Sequence, residues 1–113
     1  MSKKIVIGPA SFYVAPGNRG KYWDRVNAGE WEPGTFQFFE DVITPDTHVF
    51  DVGAWIGPTA LFAVQLGASC TAFEPDPVAY AALEANVAEN SEYSWHARLK
   101  ICLLYTSPSP RDA

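Results

Sequence analysis

The chain has 113 residues, 48% of them hydrophobic and 14% aromatic, which is enough for the core of one domain and too much for a disordered polymer. Eight basic against 13 acidic residues leave a net charge of −5. The Lys and Arg are scattered rather than gathered on one stripe, which argues against a nucleic-acid partner. Cys70 and Cys102 make neither a disulfide framework nor a metal-type pair, so no metal is expected and a reducing, cytoplasmic setting is.

At the N-terminus only Ile5, Val6 and Ile7 precede Gly8 and Pro9, too short a run for a signal-peptide core, and no later stretch approaches the length of a membrane span. A soluble chain without a membrane partner is expected. Ile5–Ile7 and Ser11–Val14 are β-rich runs separated by a Gly-Pro turn, and residues 1–20 are read as an arm or hairpin. Over Lys21–Ala28, Tyr22, Trp23 and Val26 recur at helical spacing and Gly29 supplies a stop. Thr35 is expected to cap a second helix with an apolar face of Phe36, Phe39, Val42 and Ile43, ended by Pro45.

From His48 the period changes. Val49–Val52 reads as a strand, Gly53–Pro58 as a turn, Thr59–Leu66 as a helix and Cys70–Phe73 as a second strand. A further helix is expected over Val78–Asn90, with Asp76 as N-cap and Pro77 at the first helical position. Strand, helix, strand, helix is the pattern of a parallel sheet covered by helices, and the expected fold class is α/β. The stretch Cys102–Asp112 resembles, residue for residue, the translation of a transposase adapter used in sequencing libraries. Residues 102–113 are therefore read as a non-native tail and left out of the fold.

The sharpest signal is the run Val49–Pro58, in which a strand delivers Asp51 to a turn containing Gly53 and Gly57 that opens a helix. Glycine there lets the backbone turn sharply and a ligand approach closely. The helix N-terminus offers unpaired N–H groups to a carboxylate, and Asp51 stands at the carboxyl end of its strand, able to meet an ammonium. Glu74 ends the next strand 21 residues beyond Gly53, where a carboxylate can accept both hydroxyls of a ribose. Ala54 and Trp55 occupy the place of the second glycine of a dinucleotide fingerprint, which disfavours NAD, and no Gly-Lys-Ser/Thr follows for a nucleoside triphosphate. Trp23, Phe36 and Phe39 read as core, Trp55 as a pocket wall or as packing beneath the helices. His48 falls at the end of its strand opposite the turn and reads as a surface residue, and His96 as solvated or structural.

The runs Glu30–Thr35, Phe50–Thr59 and Ala72–Val78 together resemble FkbM-type methyltransferases over about two-thirds of the chain. The resemblance implies a Rossmann-like class I methyltransferase fold, truncated after two or three strands, with residues 21–101 as the N-terminal part of that domain. It implies S-adenosylmethionine as cofactor, its methionine part at Asp51, Gly53, Ala54, Trp55 and Gly57, its ribose at Glu74, and Phe73, Pro75 and Asp76 flanking ribose and adenine. It implies transfer to the oxygen of a small-molecule or sugar hydroxyl, with no catalytic base assigned and the chain by itself inactive. Glu30–Glu32 is the candidate cover over the cofactor. The competing reading is a non-catalytic nucleotide-binding or interaction module.

Overall fold

The computed structural model describes residues 2–17 and 19–104. Strands β1 (Lys3–Ile7) and β2 (Ala10–Val14) form an antiparallel hairpin, the sequence-expected arm. Helices α1 (Gly20–Asn27) and α2 (Pro33–Val42) follow, then β3 (His48–Val52), α3 (Pro58–Gln65), β4 (Ser69–Glu74), α4 (Pro77–Ala88), a 3-10 turn at Ser94–Arg98 and β5 (Leu99–Leu103). β3, β4 and β5 pair in that order and all in parallel, so the fold is α/β. Asp51 lies opposite Ala72, and Glu74 opposite Leu103.

Period two divides each strand between two faces. Cys70, Ala72 and Glu74 of β4 are buried toward α3, which packs between the sheet and β2. Ala60, Leu61, Phe62, Ala63 and Val64 of α3 are all wholly buried, as an all-apolar turn of helix must be. Each large side chain among them contributes about 2 kcal/mol of transfer free energy. The opposite face of the sheet is open: Phe50 and Val52 are 68% and 71% exposed.

Asn86 of α4 and Asn90, two residues beyond its end, fasten the hairpin. Asn90, completely buried, accepts from Tyr13 N–H and donates to the Tyr13 carbonyl, both at 2.8 Å. Asn86 accepts from Ala15 N–H at 2.9 Å and donates to the Ile56 carbonyl at 2.8 Å, joining hairpin, α4 and the glycine turn. On the other side Asn27 of α1 receives Val6 N–H and donates to the Lys4 carbonyl.

Two expectations change. Thr35 does not cap α2: the helix starts at Pro33 with Glu32 at the N-cap, because proline has no N–H to lose in the first turn and its ring presets φ. Of the face expected on α2, Phe36 is buried and Phe39 half-buried on Phe62, but Val42 is 48% exposed and Ile43 lies beyond the helix in extended backbone. The sheet has three strands, within the two or three expected. β5 takes in Cys102 and Leu103, the first residues of the stretch read as a tail, and the Leu104 N–H donates to the Glu74 carbonyl at 3.0 Å. Residues 105–113 of that stretch lie outside the described residues.

Candidate functional site

The turn between β3 and α3 is pinned to the end of β4. The Phe73 carbonyl accepts both Gly53 N–H (2.8 Å) and Ala54 N–H (2.9 Å), and the Glu74 carboxylate accepts Trp55 N–H at 2.6 Å through Oε1. Glu74 Oε2 accepts Asp76 N–H at 2.8 Å, so one buried side chain shapes both loops at the carboxyl end of the sheet. Each oxygen keeps a second lone pair.

The two glycines do different work. Gly53 has φ +80°, and a Cβ built there would meet nothing within 4 Å, so its open side is available for close approach of a ligand. Gly57 has φ +102°, and a Cβ there would stand 2.8 Å from Leu83 Cδ1, so its missing side chain is what lets α4 pack on the turn. Ala54 between them is buried, and its carbonyl accepts Gly57 N–H at 3.0 Å. The first intrahelical bond of α3 runs from Leu61 N–H to the Gly57 carbonyl, leaving Thr59 and Ala60 N–H ahead of the ladder.

Asp51 is half-buried on the α3 face, and its Oδ2 accepts the Thr59 hydroxyl at 2.5 Å, which directs the carboxylate toward the first turn of α3. Its charge bears on Cys70 beneath it: burial first, then Asp51, pushes that thiol up to about 12. Asp76 caps α4 as the sequence implies, accepting Val78 and Ala79 N–H at 3.4 and 3.3 Å. Phe73 is half-buried and stacks on Phe50 at 6.4 Å, and Pro75 is exposed.

Trp55 makes two kinds of contact. Its ring packs edge-on to Tyr22 at 4.7 Å, and it lines a cavity of about 150 Å³ with Arg19, Ile56, Asp76, Val78 and Ala79. The Arg19 guanidinium lies 5.2 Å from the ring centroid, in cation–π range. Tyr22 also meets Trp31 at 5.1 Å, which brings the Glu30–Glu32 segment within one aromatic ring of the turn. His48 is exposed and bonds Ser69 and Thr71 side chains, away from the turn.

Asn86, Arg19 and Tyr22 escaped the sequence reading as site residues. Asn86 and Asn90, four apart in and just after an alanine-rich helical run, were the available signal, since buried amides need partners. Arg19 and Tyr22 reach the turn only through tertiary packing.

No protein-family model and no curated protein matches the chain. Its structure is similar to that of PH0793 of Pyrococcus horikoshii, designated a transferase, with a TM-score of 0.58 and 20% identity over 92% of this chain and 36% of that one. It is similar also to Pyrococcus horikoshii TYW2, whose crystal structure holds MeSAdo, with a TM-score of 0.57, 20% identity and the same coverage. The chain thus spans about a third of each. At that identity the likeness is one of fold: a parallel α/β sheet that matches part of a class I methyltransferase fold.

Proposed function

We propose that this chain is the cofactor-binding part of an S-adenosylmethionine-dependent methyltransferase of the FkbM type, acting on a hydroxyl of a small molecule or sugar. The observation that carries the reading is the Gly53 turn, open above its Cα and locked by Glu74 to the end of the neighbouring strand. That geometry fits the cofactor: the N–H groups at the start of α3 would receive its carboxylate, and the remaining lone pairs of Glu74 would accept its ribose hydroxyls. Bound there, the cofactor supplies an electrophilic methyl group. The chain's own part is to hold and orient, which converts an encounter of two reactants into a positioned one. The MeSAdo in the TYW2 crystal structure supports the same ligand class.

The test is a titration of the 15N-labelled chain with S-adenosylhomocysteine and, separately, with NAD. Chemical-shift changes at Gly53, Trp55 and Glu74 with the first and not the second are the expected result. Equal response to NAD, or response to neither at millimolar ligand, sinks the reading.

A further inference from the structure

Three carboxylates stand around the glycine turn, and a guanidinium lies against it. Asp51 is directed at the first turn of α3 by the Thr59 hydroxyl, Glu74 is tied to Trp55 N–H, and Asp76 caps α4. The guanidinium is that of Arg19, 5.2 Å from the centroid of the Trp55 ring. Arg19, Trp55, Ile56, Asp76 and two alanines of α4, Ala79 and Ala82, line a cavity of about 150 Å³. Arg19, Ile56 and Ala82 also line a second cavity, of about 110 Å³, with Asn86 and Pro16 on its wall. Arg19 thus belongs to both cavities, and it makes no ion pair among the described residues.

The place of Arg19 is fixed from two sides. It holds the N-cap of α1, its carbonyl accepting Trp23 N–H at 3.1 Å, and Tyr22, three residues on, sets its ring 4.7 Å from that of Trp55. One helix end therefore brings both side chains to the turn. Ahead of it, Asn86 accepts Ala15 N–H at 2.9 Å and donates to the Ile56 carbonyl at 2.8 Å, which ties the segment leading into α1 to the turn itself. Trp55 keeps a left-handed backbone, φ 55°, a conformation that opposes folding in a bulky residue and persists where a site needs it. An arginine anchored in this way, at the wall of a cavity and without an ionic partner among the described residues, is suited to the anion of a ligand.

We infer that Arg19 pairs with the carboxylate of the cofactor's methionine part, adding a full positive charge to what the N–H groups of α3 provide. The inference rests on the methyltransferase reading above. S-adenosylmethionine carries positive charge on its sulfur and its amino group, and negative charge on a carboxylate. Asp51, Glu74 and Asp76 answer the cations and the ribose hydroxyls. They oppose the carboxylate, and the N-terminus of α3 offsets them with only about half a unit charge. Arg19 supplies the charge that is missing, in a planar fork that matches a carboxylate while its face stays on the indole of Trp55. Its part is binding: no bond forms or breaks at Arg19, and no proton moves there.

The experiment compares S-adenosylhomocysteine, which has that carboxylate, with 5′-methylthioadenosine, which keeps adenosine and sulfur and lacks the amino-acid end. Both are titrated by NMR into the 15N-labelled chain and into its Arg19→Gln and Arg19→Lys variants. In Arg19→Gln the affinity for S-adenosylhomocysteine should fall about fivefold, while that for 5′-methylthioadenosine stays within about twofold. Arg19→Lys keeps the charge without the fork and should fall between the two. Equal weakening of both ligands overturns the inference, because Arg19 would then serve only to support Trp55. Weakening of neither overturns it as well, and leaves Arg19 a surface charge. If neither ligand binds the unaltered chain at millimolar concentration, the cofactor reading has failed and the inference falls with it.

Discussion

The Glu74 carboxylate takes the Trp55 N–H at 2.6 Å, and this contact joins the end of one strand to the turn that leaves its neighbour. Its other oxygen takes the Asp76 N–H. Glu74→Ala would leave both N–H groups to find water in a largely buried place, at a cost of about 1–3 kcal/mol each at most. A loss of roughly 2 kcal/mol in urea unfolding is expected, together with loss of nucleoside binding. Glu74→Gln keeps one acceptor oxygen and should lose about half as much stability.

Gly53 and Gly57 should respond differently to the same substitution. Gly57→Ala combines a left-handed φ with a Cβ 2.8 Å from Leu83 Cδ1, inside a packed core, and should destabilise by about 2–3 kcal/mol. Gly53→Ala meets open space, so only the backbone strain of about 1 kcal/mol applies. Its effect should appear instead in ligand titrations. Thermal unfolding of the two variants side by side checks the order, and equal losses would contradict it.

Asn90 makes three bonds from a wholly buried position, two to Tyr13 and one to the Asn86 carbonyl at 2.9 Å. Asn90→Ala leaves the Tyr13 N–H and carbonyl without partners and should cost at least about 2 kcal/mol. Hydrogen exchange should show β2 opening before the parallel sheet does.

Cys70 and Cys102 should differ in reactivity and in their effect on pH stability. Burial, aided by Asp51, raises the Cys70 thiol from its ordinary 9.0 to about 12, while Cys102 is half-buried at the sheet edge. Alkylation at pH 8 should label Cys102 first, since the thiolate is the nucleophile. Between pH 9.0 and about 12 the unfolded chain releases a Cys70 proton that the folded chain retains, so Cys70 makes stability fall as pH rises through that window. Cys70→Ala should flatten the fall in denaturant melts across that range.

Much of this molecule was legible in order along the chain. The short strand-like runs Val49–Val52 and Cys70–Phe73, the glycines after the first of them, and the Asp76–Pro77 start of α4 are local signals. Each reflects a backbone preference that acts within a few residues, and each reappears in the structure. Where local chemistry competes the reading slipped, as at Thr35, whose capping propensity yielded to Pro33 two residues earlier.

The sequence by itself determined the α/β order of elements and the turn at Gly53, because hydrophobic period and glycine geometry are properties of short segments. Only the tertiary structure decided what that turn touches. Asn86 reaches the Ile56 carbonyl across 30 residues, Glu74 reaches Trp55 N–H across 19, and Tyr22 comes to rest on Trp55 from a helix outside the parallel unit. Such partners are chosen by packing, since a buried amide, carboxylate or phenol must meet whatever the folded core brings beside it.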